Sequence, residues 1–435
     1  MRVNRFRRIC CALALALAAF LTVVANASDN ASSDGGYTVS EPVVISAVGY
    51  PADEPYVIEN LEITNVGRAN DCGNGILVES AANVVIRNCY IHDTDDAAIE
   101  VVSSENITIE DCTIVRATLT EEGNFWGGIV ALDSTNVVIE GNSVGSTVSG
   151  AAIVAEDGCV NVSIVDNMLE DNGSQKKERD AEGYAVEGGY PEFGVSIGIS
   201  VGGGSQDVVV SGNSVANSTS DGIAVKDGAR NVEVFGNVLT ASDEQGIWLV
   251  AVGENISIHD NRILDTVEYG LFLEWGVENV DIYNNDIERS MYAGFSIVNS
   301  RNSNIHDNAV VQTRGPAFEL GYQSQADTEY ISGLSLGFRT AGNHIWGNRI
   351  TSGIAFEQAG GGDAVAGYDM WAENDIFDNT INGEPQGDSG ETGDACWPLY
   401  VGIAGGVAAL AAVAAVVLKF GSNRKHAYRR KVSSK

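Results

Sequence analysis

The sequence predicts an all-β fold of stacked three-strand coils, a parallel β-helix of about 11–12 coils, followed by one C-terminal transmembrane α-helix. The stretch 207–308 states one pattern four times, with starts at Asp207, Asn231, Asn255, Asn279 and Asn302, so the period runs 24, 24, 24 and then 23 residues. A constant period of this kind means stacked structural units. Each unit also holds short apolar pieces with a period of two: Ile256 and Ile258 alternate with polar residues, Asn261 follows, then Ile263, a loop, and Leu271 with Leu273. That alternation marks strands buried on one face, and three per turn give coils about 4.8 Å apart. The third observation is an uncharged run of 20 residues at 399–418, long enough to span a bilayer.

Taken in order, residues 1–27 read as a secretory signal, with Arg2, Arg5, Arg7 and Arg8 ahead of an apolar run and Ala25-Asn26-Ala27 before Ser28. Residues 28–56 form an N-terminal segment and cap, since the open end of a stack needs cover. The β-helix proper is expected over 57–382. A Gly-, Glu- and Asp-rich linker at 383–398 leads to the span at 399–418 and a basic tail at 419–435. Trp397 and Tyr400 lie at one edge of that span and Lys419, Arg424 and Lys425 beyond the other. This asymmetry implies a single-pass type I protein with its β-helix outside the cell.

Inside the coils, the residue six past each unit start forms a column: Asn142, Asn167, Asn213, Asn237, Asn261, Asn285, Asn308, Asn348 and Asn379, continued towards the N-terminus by Cys112, Cys89 and Leu61. A buried amide must be satisfied, and amides stacked on amides can bond the coils above and below, so these are expected to be a structural ladder. Two positions on stands an unbroken apolar file from Ile91 through Ile263 to Ile381. The frame N-V-x-I-x-x-N-x-I followed by G-I-x-V resembles the right-handed parallel β-helix repeat of the pectate lyase-like superfamily, over about residues 57–382. The resemblance implies a membrane-anchored surface member of a group that includes polysaccharide lyases, glycoside hydrolases, uronate epimerases, tailspikes and non-catalytic surface proteins. Fold alone does not choose among these. The Gly-His-Gly and Arg-Ile-Lys of polygalacturonases, the Asp-Pro-His-Glu of alginate epimerases and the Trp-Ile-Asp-His of pectate lyases are absent, so the resemblance transfers no catalytic residue.

Charge narrows the partners. Of 25 basic groups, four Arg belong to the first segment and seven Lys/Arg to the last, leaving 14 against 59 acidic residues between them. Such a surface repels nucleic acid, and a bare anionic polymer would need a bridging divalent cation such as calcium. No cofactor motif is identified. Five cysteines remain after the signal, of which Cys89 and Cys112 share the inward column as a stacked thiol pair or a disulfide. Sequons at Asn106, Asn161 and Asn255 open coils where packing obstructs modification, whereas Asn172 and Asn217 sit in loops and are the expected glycosylation sites.

Excess residues over the standard period fall near 117–126, 171–194, 321–341 and 359–372, flanking the G-I-x-V face. On that face Trp248 and Phe272 are expected outward in adjacent coils, with Lys226 and Glu274 beside them, as a sugar-stacking patch; the alternative is cover by a neighbouring loop. A second outward file, Phe235, His259, Tyr283, His306, Trp346 and Phe377, is read as a stiffening stack or a docking strip. His259 and His306 are two coils apart, which excludes a shared metal. The densest acid cluster is His92, Asp93, Asp95, Asp96 and Glu100; Asp243, Glu244, Glu268 and Glu274 lie near the aromatic patch. The resulting expectation is a surface β-helix protein that binds glycans or envelope components. The alternatives are a membrane-tethered polysaccharide lyase or glycoside hydrolase of unknown catalytic residues, and a plain spacer.

Overall fold

The computed structural model describes residues 36–67, 73–120, 127–176, 178, 181, 194–322, 339–358 and 368–386. The expected signal, the span at 399–418, the basic tail, most of the linker, Cys72 and Cys396 lie outside the described residues. So do most of the insertions. No helix among the described residues is long and apolar enough to cross a membrane.

Three sheets of 14, 12 and 12 strands run along the described rod. Sheet A gathers the N-x-I strands such as Arg262–Leu264, sheet B the G-I-x-V strands such as Ile247–Val250, and sheet C the N-V-x-I strands such as Ile256–His259. Each strand pairs in parallel with its equivalents one coil below and above, so Ile263 stands between Leu239 and Ile287. The residues that open the repeats turn the chain: Asp207, Asn231, Asn255, Asn279 and Asn302 all adopt φ between 52° and 59°. Asn and Asp tolerate this left-handed conformation because their short side chains hydrogen-bond locally. Stacking begins earlier than expected. Thr38–Val39 pairs with Leu61–Val66, and Val43–Ser46 with Ile76–Glu79, so part of the segment assigned as a cap is the first coil. Its strands are short and its turn lacks the Asn of the later coils, which hid it from the period.

The inward residues of all three sheets merge into one apolar core running from Ile45 to Ile376. The glycine of G-I-x-V is set by that core's narrowness. A Cβ at Gly246 would lie 2.6 Å from the Gly270 carbonyl oxygen and 2.3 Å from the Ile263 Cγ2.

The amide column forms a continuous hydrogen-bond ladder. In Asn237 the backbone N–H and the Nδ2 both donate to the Asn261 Oδ1, at 3.1 and 2.9 Å, and Nδ2 also reaches the Val210 carbonyl at 2.9 Å. The same pattern recurs from Asn142 to Asn379, each residue 2% exposed or less. At the upper end the chain folds back: Ile381 pairs antiparallel with Glu384, and the Gln386 Oε1 accepts from the Asn379 Nδ2 at 2.8 Å in place of a further Asn. At the lower end Cys112 donates its N–H to the Asn142 Oδ1 at 2.9 Å. Cys89 and Cys112 are free buried thiols, each directed at the carbonyl two residues earlier at 3.4 Å. A second corner carries a shorter ladder of the same kind, in which Ser303 donates to Asn343 and Asn343 to Asn374 at 3.1 and 3.2 Å.

Replacing Asn261 with alanine removes the acceptor of two Asn237 donors in a site closed to water. An orphaned buried group costs about 1–3 kcal/mol, so the N261A chain is expected to lose at least that much in chemical denaturation. An alanine at Arg262, an exposed strand residue next to Asn261, should cost less than about 0.5 kcal/mol.

Candidate functional site

The outward face of sheet B carries the residues whose surroundings depart furthest from an ordinary surface. Backbone register places Trp248 between Ala224 and Phe272, and Glu274 between Val250 and Val298. Trp248 and Phe272 do not form the open patch expected of them. They are 7% and 0% exposed, in an outer cluster with Tyr269, Trp275 and Tyr292. Their rings lie against one another: Tyr269 sits 4.9 Å from Phe272 and 5.7 Å from Tyr292, centroid to centroid. The reading in which these two side chains are covered is therefore the one the structure carries.

Charged groups are buried in the same place. The Trp248 Nε1 donates to the Glu274 Oε2 at 3.0 Å, while the Glu274 Oε1, in a residue 1% exposed, has no hydrogen-bond partner among the described residues. Loss of hydration, opposed by the indole bond and helped by the neighbouring Asp221 and Glu268, pushes the Glu274 carboxyl up to about 8. Gln245 links these neighbours, donating its Nε2 to the Glu268 Oε2 at 3.0 Å and its N–H to the Asp221 Oδ1 at 3.4 Å. Glu319, higher on the same face, is only partly exposed and accepts from the Ser296 Oγ at 3.3 Å; its carboxyl is pushed up to about 7, mainly by desolvation. Burial also raises the Tyr269 phenol, and Glu319, Glu268 and Glu274 add to the effect, so these groups share one neighbourhood.

A backbone irregularity sits beside this cluster. Glu274 opposes Val298 and Val277 opposes Ser300, so Trp275 and Gly276 together face the single residue Asn299. This bulge absorbs the extra residue of a 24-residue coil stacked under a 23-residue one. It puts Trp275 at φ 32°, and among the described residues it is the one aromatic with positive φ. Its indole Nε1 is buried and has no hydrogen-bond partner among the described residues. Sequence reasoning missed the bulge, although the change of period was its signal.

The other expected residues are placed differently. Lys226 lies two coils from Glu274 and pairs with Glu156, Nζ to Oε1 3.1 Å, where Ser200 also donates at 2.7 Å. The cluster at 92–100 is divided between sheets. On sheet A, the His92 Nδ1 meets the Asp93 Oδ2 at 2.7 Å and the Thr64 Oγ1 at 3.0 Å, and Asp93 pairs with Arg116. Glu100 stands on sheet B, accepting from the Asn74 Nδ2 at 2.6 Å, with Asp95 and Asp96 at the corner between. Asp243 is buried, and Glu244 accepts from the Ser220 Oγ at 2.9 Å. No group of His, Cys, Asp and Glu among the described residues could hold a metal ion.

The aromatic file on sheet C is a continuous stack. Successive centroids from Phe235 to Phe377 lie 5.1, 4.7, 5.4, 4.3 and 6.0 Å apart with planes within 13° of parallel. Inside such a stack each ring spends both faces on its neighbours and presents only an edge, so a sugar cannot lie face-on against it. Carboxylates hold the imidazoles: His259 meets Asp260 at 2.8 Å and Glu233 at 3.1 Å, and His306 meets Asp307 at 2.8 Å and Asp281 at 3.3 Å. Of the expected glycan acceptors, Asn217 is exposed, its Nδ2 donating to the Asp171 Oδ1 at 3.0 Å. Asn172 is wholly buried, bonded to the Thr147 N–H at 3.1 Å, which removes it as an acceptor in the folded chain.

Residues 44–196 and 191–310 match the family model described as the right handed beta helix region. The chain belongs to that family. Among solved structures, this right-handed β-helix is similar to the periplasmic alginate epimerase AlgG, with TM-score 0.53 and 12% identity over 79% of this chain and 78% of that one. It is also similar to the Dettilon tailspike protein, with TM-score 0.52 and 12% identity over 75% and 62% of the two chains. At such identities the likeness speaks for the β-helix fold. No curated protein matches the sequence.

Because the folded chain holds the Glu274 proton more tightly than the unfolded chain, this group destabilises the fold as pH rises from the ordinary carboxylate value of 4.5 to about 8, and no further above that. An isosteric Glu274→Gln change removes the slope. The variant should gain in melting temperature relative to the parent between about pH 5 and about pH 8, and the tryptophan fluorescence change with a midpoint near 8 should disappear.

Proposed function

We propose that the protein engages a glycan over sheet B while held at the cell surface. The observation that carries this reading is the Glu274 carboxyl, one oxygen on the Trp248 indole and the other buried without a partner among the described residues. Kept protonated near neutral pH, it can donate a hydrogen bond to a sugar hydroxyl. The similar fold of a protein named as an alginate epimerase supports carbohydrate as the ligand class. The surface location rests on the N-terminal signal and on the uncharged run at 399–418 with its basic flank.

A second reading is an enzyme of the lyase or hydrolase class, favoured by the same carboxyl. A neutral acid at physiological pH is what protonation of a glycosidic oxygen requires, and Glu319, pushed up to about 7, is a second acid on the face.

Incubation with a panel of neutral and uronic-acid oligosaccharides separates the two. Binding predicts retention without turnover, reduced about tenfold or more by Glu274→Ala, which removes the donor, and largely kept by Glu274→Gln, whose amide N–H replaces it; new reducing ends or unsaturated products that vanish in both variants select the enzyme. Absence of both retention and products would sink the glycan reading. For location, protease added outside intact cells should degrade the β-helix and spare the basic tail, and a chain ending at residue 398 should appear in the medium.

A further inference from the structure

Resting on the reading that the β-helix lies outside the cell, we propose that the corner between sheets B and C carries a row of N-linked oligosaccharides, at Asn106, Asn161 and Asn255. Their sequons open coils, where packing is expected to obstruct modification. The structure instead leaves all three asparagines exposed. The alternation of the strand is the reason. The middle residues Ile107, Val162 and Ile256 are 2% exposed or less and belong to the core, so the residues on either side of each face outward. Thr108, Ser163 and Ser257 thus set their hydroxyls on the outer face of sheet C, where each residue is partly exposed. Register puts them in one column, with Thr108 and Ser163 on either side of Val138 and Ser257 two coils beyond Val209.

The turn leaves the amide free to react. Each asparagine donates an Nδ2 hydrogen to the corner residue one coil below: Asn106 to the Asn83 Oδ1 at 3.0 Å, Asn161 to the Asn136 Oδ1 at 2.7 Å, and Asn255 to the Asn231 Oδ1 at 2.9 Å. A primary amide has a second such hydrogen. In transfer from a lipid-linked sugar phosphate, Nδ2 bonds to the anomeric carbon of the sugar. The bond from that carbon to the phosphate oxygen breaks, and the departing phosphate takes its electron pair and the proton released by the nitrogen. The secondary amide keeps one N–H, so the corner bond survives modification. The other sequons lack this arrangement. Asn172 is wholly buried, and at Asn217 the hydroxyl belongs to Thr219, 3% exposed, whose Oγ1 accepts the Ser196 N–H at 3.0 Å.

Spacing suits bulky groups. Asn136 stands between Asn106 and Asn161, while Asp207 and Asn231 stand between Asn161 and Asn255; none of these has a hydroxyl two residues on. At about 4.8 Å per coil the three sites are about 10 and about 14 Å apart, so no two sugars rise from neighbouring coils.

The test uses the full chain isolated from the cells that produce it, digested and analysed by mass spectrometry. An oligosaccharide is expected on at least two of the three corner asparagines and none on Asn172. Thr108→Val, Ser163→Ala and Ser257→Ala each remove an outward hydroxyl and leave the asparagine turn whole. Each should lower the intact mass by one oligosaccharide where its site is occupied. Sugar on fewer than two of the three overturns the row, as does an intact mass that no variant lowers. Equal occupancy of Asn172 also overturns it, because exposure would then not select the sites. Protease added outside intact cells separates this failure from that of the location. Bare corner asparagines on a β-helix that the protease reaches refute the row alone; on a chain it does not reach, they refute both. The peptide masses of the parent decide even if a variant fails to fold.

Discussion

The fold depends on one constraint: a polar turn buried inside each coil has to be satisfied by the coil next to it. An asparagine supplies two donors and an acceptor from a short side chain, and its own backbone N–H adds a third donor, so a column of them closes its hydrogen bonds without water. From Asn167 upward the Oδ1 of each rung takes a backbone and a side-chain donor from the rung below, as the Asn261 Oδ1 does from Asn237. Coils can therefore vary outside this column but not slide past one another. Insertions such as the one that lengthens the interval from Asn308 to Asn348 leave the ladder bond at 2.9 Å.

A rod of this kind writes its outward residues in columns, and the candidate site is two such columns on sheet B brought into one apolar setting. Trp248 and Glu274 come from adjacent coils, and the bond between them joins what sequence separates by 26 residues. The coil that carries Glu274 also carries the bulge at Trp275, so a place where the stack changes its residue count is also where a carboxyl and an indole have unmatched hydrogen-bonding capacity among the described residues. Irregular backbone and perturbed acid chemistry coincide here, as expected where structure yields to function.

Much of this was legible in the residues themselves. The period placed Asn213 over Asn237 and Ile263 over Ile287, because stacking in register makes sequence spacing a direct map of space. Exposure was less legible, since it depends on what lies over a face: Trp248 and Phe272 point outward in the strand pattern and are nevertheless enclosed. Corners were hardest. His92 and Glu100 are near in sequence but fall on either side of a turn, and Asn172 and Asn217 look alike as sequons, yet one fills an inner corner and the other points to solvent. Neither difference has a periodic signal. The first coil escaped notice for the same reason, its strands at 38–39 and 43–46 being too short to repeat anything.

The hairpin that lays Gln386 on Asn379 also bears on how the molecule behaves in company. A stack of parallel strands has the same open edge at its last turn as at every turn within it, and could accept a foreign strand there as readily as its own. Folding the chain back antiparallel, with a glutamine amide filling the final hydrogen-bonding vacancy, occupies that edge with the protein's own backbone. That edge of sheet A thus offers no template to a second copy of the chain.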